Sequence, residues 1–118
     1  MSELSPNSVA LQLASLGRDL DRLVQEIDKA ETRAVNARED YTVANSTAFL
    51  TAEGAMDMRK HTAIVESSEF RLAAETAEAV VRGLRRQIDA VRVRIDIGRS
   101  MGVALRAEID LIGKDGRP

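Results

Sequence analysis

Hydrophobic residues recur along the first half of the chain in alternating steps of four and three residues. Such spacing gathers side chains on one face of a helix and is typical of a coiled coil. Ser5 and Pro6 suit the cap and the first position of a helix, so the pattern predicts a helix over residues 6–53. The first hydrophobic track consists of Val9, Leu13, Leu16, Leu20, Leu23, Ile27, Ala30, Ala34, Ala37, Tyr41, Ala44 and Ala48.

A second hydrophobic track keeps the same rhythm but is out of phase with the first. The phase changes between residues 49 and 62, where Gly54 lies, and glycine readily adopts the left-handed conformation that ends many helices. We therefore predict a turn near 54–56, a second helix over 57–112 and a frayed tail at 113–118. The second track consists of Ala63, Ser67, Phe70, Ala74, Ala77, Val81, Leu84, Ile88, Val91, Ile95, Gly98, Gly102, Leu105, Ile109 and Ile112.

The predicted fold is all-α: a single domain, residues 1–118, folded as a long antiparallel two-helix hairpin, or coiled coil. The alternatives are a continuous helix and a parallel coiled coil. Folding the chain back at Gly54 matches large residues with large ones far from the turn and small residues with small ones or single rings near it, as close-packed interiors require. The predicted pairs include Leu13 with Ile95, Leu20 with Ile88, Leu23 with Leu84, Ala37 with Phe70 and Tyr41 with Ser67.

The charges beside the two tracks fit this register less well than the hydrophobic residues do. Glu31 would lie near Glu78 and Arg38 near Arg71, and neighbouring like charges are mildly destabilising. Either the register is offset locally, or another chain supplies the opposite charges.

A row of arginines follows one edge of the second track at intervals of seven residues. In the predicted register these arginines face Val24, Gly17 and Ala10 rather than acids. A row with no acid partner can pair with another protein chain or with phosphates, although no aromatic residues interleave it to stack on bases. The row, a candidate contact for nucleic acid or a partner protein, consists of Arg85, Arg92, Arg99 and Arg106.

Hydrophobic residues outside the paired tracks predict self-association. Met58, Val65 and Leu72 repeat every seven residues on the outer face of the second helix, and the end of that helix has little opposite it. Exposed apolar rows of this kind usually mark protein contacts. A homo-oligomer is expected, most simply a dimer of hairpins that forms a four-helix bundle. The expected contact residues are Met58, Val65, Leu72, Phe49, Leu50, Leu105, Ile109 and Ile112.

Composition supports the helical interpretation and narrows the classes of function. Aromatic residues make up 3% of the chain and charged residues 31%, which argues against a globular enzyme core. The absence of cysteine excludes disulfides, zinc thiolates and thiol nucleophiles. No apolar run is long enough to span a membrane and the N-terminus has no secretory pattern, so a cytoplasmic protein is expected.

The candidate chemistry of the polar residues is sparse. His61 lies beside Arg59 and Lys60 with no serine, carboxylate or metal-ligand spacing around it, so a solvated surface residue is expected. No glutamate stands three residues before His61, as a di-metal bundle would require. Gly98 and Gly102 predict either close approach of the first helix or a break in the second. We expect no enzyme, no cofactor and no metal.

Four segments of the chain carry a resemblance to a known group of proteins: Phe49–Gly54, Leu72–Ala79, Arg85–Arg92 and Leu105–Glu108. These segments resemble small proteins encoded by tailed phages and prophages, particularly those of actinobacteria. The resemblance implies a phage-encoded helical hairpin from early gene regions, alongside recombination or replication functions, and carries over no catalytic residue. The chain departs from the group after Gly54, although Asp57 can still cap the second helix.

The sequence thus predicts a non-enzymatic, self-associating coiled-coil protein that acts as a scaffold or accessory factor in phage DNA metabolism, with a protein partner that the sequence does not identify. Nucleic-acid binding through the arginine row is the first alternative and is less favoured. A structural or assembly component of a virion is the second.

Overall fold

The computed structural model of the chain describes residues 4–115, with side chains up to residue 113. Three helices follow one another: α1 spans Pro6–Thr51, α2 spans Met56–Glu66 and α3 spans Ser68–Asp115. The prediction of an all-α helical hairpin is confirmed. The first three residues and the last three, which include the end of the predicted frayed tail, lie outside the described residues.

The start of α1 is fixed by two serines that cap each other. The backbone N–H of Ser8 donates to Ser5 Oγ at 3.1 Å, and the backbone N–H of Ser5 donates to Ser8 Oγ at 2.9 Å. This reciprocal arrangement satisfies two backbone donors that a helix N-terminus leaves without an intrahelical partner. The cap predicted from Ser5 and Pro6 is therefore confirmed.

The turn between α1 and α2 depends on Gly54, whose φ of 104° lies in a region that other residues rarely adopt. Ala55 occupies the cap position of α2 without a side-chain hydrogen bond, and Asp57 lies in the first turn of the helix. The expectation that Asp57 caps this helix is therefore wrong. Its carboxylate still lies where the helix dipole favours negative charge.

Arg59 joins the two sides of the turn. Its guanidinium donates to the Phe49 carbonyl from Nε at 3.3 Å and from Nη2 at 3.2 Å, and it lies 4.6 Å from the centre of the Phe49 ring. The carbonyls in the last turn of a helix have no intrahelical donor, so a cation here is favourable. Arg59 therefore stabilises the end of α1 and covers part of the Phe49 ring.

The predicted second helix is interrupted at Ser67, between α2 and α3. The Ser67 side chain is 1% exposed, and its hydroxyl donates to the Ala63 carbonyl at 2.6 Å while it accepts from Asn45 Nδ2 at 3.1 Å. Ser68 Oγ donates to the Val65 carbonyl at 2.9 Å. Serine hydroxyls that bond carbonyls of the preceding turn bend helices, which explains why an uninterrupted helix over 57–112 was a wrong prediction.

The chain forms two compact units, each made from a stretch of α1 and a stretch of the later helices. The terminal unit contains the described residues up to 24 together with those from 86 onward, and the turn unit is Gln25–Arg85. The core of the terminal unit is aliphatic, with Val9, Leu23, Ile88 and Val91 all buried.

Small residues allow α1 and α3 to approach closely in the terminal unit. A methyl group on Gly98 would lie 2.7 Å from Leu13 Cδ2, closer than side-chain carbons pack, whereas one on Gly102 would lie 3.6 Å from Val9 Cγ1. The helix continues through both glycines, so of the two predicted roles the break is wrong. Close approach applies at Gly98, while Gly102 leaves room for ordinary contact.

The core of the turn unit is built largely from alanine. Its only buried polar side chain among the described residues is Ser67, which has the partners given above. Small side chains at these positions let two helices pack closely, and cores of this kind tolerate little added volume. The buried hydrophobic residues of this unit are Ile27, Ala30, Ala34, Ala48, Ala63, Ala74 and Val81.

The pairing of the helices differs from the predicted register by about one helical turn. In the terminal unit Leu13 lies against Gly98, three residues beyond its predicted partner Ile95. In the turn unit Ser67 binds Asn45 rather than facing Tyr41. Of the two explanations for the unfavourable charges, the offset register is correct, because it places opposite charges next to each other.

Two ion pairs across the turn unit show the effect of the offset. Arg38 donates to Glu78 Oε1 from Nη2 at 2.7 Å and from Nε at 2.8 Å, and Arg85 Nη2 lies 3.3 Å from Glu31 Oε1. Arg71 pairs with Glu75 along its own helix at 3.3 Å. The predicted juxtapositions of Glu31 with Glu78 and of Arg38 with Arg71 are therefore wrong.

Candidate functional site

The outer stripe, defined as Met58, Val65 and Leu72, is exposed on α2 and α3. The exposed fractions of these residues are 61%, 72% and 62%. The seven-residue spacing carries the stripe past the interruption at Ser67. Large apolar side chains at this exposure are candidates for contact with another protein.

The other expected contact residues differ in exposure. Leu50, Ile109 and Ile112 are exposed, at 73%, 52% and 65%. Phe49 and Leu105 are half-buried within the chain, and the Phe49 ring lies beneath the Arg59 guanidinium. These two residues therefore offer less surface to a partner than the sequence pattern indicates.

Phe70 was predicted to lie on the paired face opposite Ala37, but its side chain is 45% exposed. It lines an open apolar groove in the turn unit together with Val43, Ala44 and Ala48. Among the described residues, its charged lining consists of Asp40 and Glu66. We call it the acidic groove. The spacing of Phe70 along the second track did not indicate this exposure.

A second open groove lies between α1 and α3 in the terminal unit. Val9, Ala10, Leu13 and Val103 supply apolar lining, and the glycine at position 102 and Pro6 complete it. Within the described part of the chain, its charged lining consists of Arg99 and Arg106. We call it the basic groove. The sequence pattern found the arginines but not the groove, because a groove depends on the register of the two helices.

The four arginines of the predicted row have different surroundings. Arg85 pairs with Glu31, so the prediction that it has no acid partner within the chain is wrong. Arg106 Nε donates to the carbonyl of residue 102 at 3.3 Å. Within residues 4–115, Arg92 and Arg99 form no hydrogen bond or ion pair. The row therefore divides into a paired member in the turn unit and three members with no acid partner in the terminal unit.

The described residues contain little that resembles a catalytic or metal centre. His61 is exposed, and the described part of the chain has no group of three or more histidine, cysteine, aspartate or glutamate residues placed to hold a metal ion. None of the described helices is both long and apolar enough to cross a membrane. The candidate contact surfaces on the described chain are the outer stripe and the two grooves.

Comparisons of the chain with protein-family models, with curated proteins and with solved structures give no match.

Proposed function

We propose that this protein is a non-enzymatic scaffold that associates with itself and with other proteins through the exposed apolar side chains of its hairpin. The observation that carries the proposal is the distribution of large hydrophobic residues. Among the described residues, nineteen large hydrophobic side chains are exposed, while the buried hydrophobic set has eleven members, of which five are alanine. Burial of apolar surface is the main driving force of protein association.

The outer stripe supplies the most ordered part of this surface. Three aliphatic side chains at seven-residue intervals on one side of a helical hairpin match the pattern that packs against another helix. A scaffold needs a surface of this kind and no reaction centre. The resemblance of four sequence segments to phage-encoded hairpins supports placing this scaffold among accessory factors of phage DNA metabolism.

Sedimentation equilibrium at micromolar concentration tests self-association. We expect an assembly of at least two chains, and a single species at 12.9 kDa would contradict the proposal. A variant with Met58→Ser, Val65→Ser and Leu72→Ser should dissociate at higher protein concentration than the wild type does. A matched variant with Leu11→Ser and Val93→Ser, which changes exposed aliphatic residues outside the stripe, should retain the wild-type behaviour.

Nucleic-acid binding is the second candidate function, and the absence of acid partners for Arg92 and Arg99 within the described chain favours it. Contacts between arginine and phosphate weaken steeply as salt rises, so binding should be strongest at low salt. Fluorescence anisotropy with a labelled DNA duplex at low salt tests this function. Loss of binding in the Arg92→Glu, Arg99→Glu variant would support it, and no binding by the wild type would remove it.

A further inference from the structure

The acidic groove and the basic groove both have an apolar lining, and their charged residues are opposite in sign. Each is an open apolar groove lined by two charged residues among those described, which are Asp40 and Glu66 in the turn unit and Arg99 and Arg106 in the terminal unit. Among the described residues none of these four side chains takes part in an ion pair. The charges that line each groove are therefore available to a partner.

We propose that the basic groove of one molecule docks against the acidic groove of a second copy of the same chain. The proposal rests on the proposed self-association and names the two surfaces that meet. Two carboxylates on one face and two guanidiniums on the other can form charge-assisted hydrogen bonds, and arginine suits carboxylates because its planar fork can bind both oxygens.

Apolar side chains beside the charges favour a protein occupant. Val103 in the basic groove is 62% exposed, and Val43 and Phe70 in the acidic groove are 54% and 45% exposed. Docking of the two grooves would remove these side chains from water while the charges pair at the rim, which is the usual arrangement of a protein interface. Aromatic residues such as Phe70 are enriched at such interfaces.

A nucleic acid is a polyanion and would interact with only part of the basic groove. DNA or RNA could neutralise Arg99 and Arg106, but it would leave the neighbouring Val103 in water. The acidic groove of a second copy would instead supply carboxylates to the two arginines and apolar side chains to cover Val103. For this reason the charge complementarity favours self-association over nucleic acid as the role of Arg99 and Arg106.

Charge reversal in two separate variants tests the contact. One chain carries Arg99→Glu and Arg106→Glu, and the other carries Asp40→Arg and Glu66→Arg. Each variant alone brings like charges together and should associate at least about tenfold more weakly than the wild type in sedimentation velocity, because opposed like charges disfavour an interface. Circular dichroism should show wild-type helix content, since all four residues are exposed.

Mixing the two variants gives the decisive result. The first variant keeps its native acidic groove and the second keeps its native basic groove, so an equimolar mixture should regain association close to that of the wild type. A control chain with Arg82→Glu and Arg86→Glu, which reverses exposed arginines outside both grooves, should associate like the wild type.

Four results would overturn the inference, and the first of them would also overturn the proposed function. A wild type that remains monomeric removes both. If the wild type associates but both reversal variants associate equally well, only the groove contact is wrong. Weak association that mixing does not restore also contradicts the contact. If reversal at Arg99 and Arg106 abolishes duplex binding and leaves association unchanged, nucleic acid is the occupant of the basic groove.

Discussion

The terminal unit and the turn unit use the same helices but are stabilised in different ways. In the terminal unit, buried aliphatic residues such as Ile88 and Val91 form the core, and three arginines beside it have no acid partner. In the turn unit, buried alanines pack closely and two ion pairs join α1 to α3. The terminal unit therefore depends on apolar volume, whereas the turn unit depends on small side chains and polar contacts. Arginines without an acid partner therefore lie beside the aliphatic core of the terminal unit, whereas the exposed outer stripe lies in the turn unit.

Removing apolar volume from the terminal unit should have the largest effect. Ile88 is 7% exposed, so Ile88→Ala should lower the free energy of unfolding by about 2–5 kcal/mol through lost burial and the resulting cavity. The matched change Ile97→Ala, at a residue 54% exposed on the same helix, should alter it by less than about 0.5 kcal/mol. Urea unfolding followed by circular dichroism at one protein concentration measures both. Equal losses would show that Ile88 is not a core residue.

Adding volume to the turn unit should have the next largest effect. Ala74 is 0% exposed, and Ala74→Leu should cost about 1–3 kcal/mol because a well-packed core has no room for the added carbons. Ala73→Leu, at the exposed neighbouring position, should be close to neutral. The same unfolding assay distinguishes them, and a stabilised Ala74→Leu protein would contradict close alanine packing.

Replacing one glycine with alanine should lower the stability of the protein in the turn unit and raise it in the terminal unit. Gly54→Ala should cost about 1–3 kcal/mol, because a φ of 104° is strained for alanine. Gly17→Ala should instead stabilise by up to about 1 kcal/mol, since this helical position has open space around it and alanine is the better helix former. Thermal unfolding of the two variants checks the signs, and a Gly54→Ala protein as stable as the wild type would remove the role given to the turn.

Two glycines within the terminal unit should also differ from each other. Gly102→Ala should stabilise by up to about 1 kcal/mol, because the added methyl meets Val9 at an ordinary 3.6 Å. Gly98→Ala should not stabilise the protein in this way. Its methyl would lie 2.7 Å from Leu13 Cδ2, so the leucine side chain would have to move. Thermal unfolding of both variants tests the difference. A larger gain at Gly98 than at Gly102 would contradict the packing described.

The smallest effect concerns the ion pairs of the turn unit. Glu31→Gln should cost about 0.2–1 kcal/mol, and the loss should shrink as salt rises, because the side chains of the pair are 45% and 63% exposed. A double-mutant cycle with Arg85→Gln isolates the pair energy. A cycle energy of zero at low salt would mean that the two charges do not interact in solution.

Periodicity predicted most of the helical packing of this chain. Of the positions placed on the paired face, only Phe70, Ile109 and Ile112 are exposed, and the last two were expected to have little opposite them. The helix cap at Ser5 was equally predictable, because serine followed by proline has a specific local role. The spacing of hydrophobic residues and the local chemistry of the helix cap were therefore enough to predict the fold class.

The features that could not be predicted from the sequence depend on contacts between residues that are far apart along the chain. At the interruption, the buried Ser67 hydroxyl accepts a hydrogen bond from Asn45, twenty-two positions away in the sequence, and only the adjacent pair of serines hinted at this site. The observed register brings opposite charges together, but hydrophobic tracks that repeat in steps of three and four residues do not distinguish it from a register one turn away. The grooves could not be predicted, because a shift of one turn changes which side chains line them.

A pair of engineered cysteines tests the hairpin and its register most directly, because the natural chain has no cysteine. Leu13→Cys with Gly98→Cys brings two thiols together in the observed register, whereas Leu13→Cys with Ile95→Cys does so in the register predicted from the tracks. Mild oxidation at low protein concentration, followed by mass spectrometry, identifies the disulfides. The structure predicts rapid formation of the 13–98 bridge within one chain and slow formation of the 13–95 bridge. Faster formation of the 13–95 bridge, or bridges found only between chains, would contradict it.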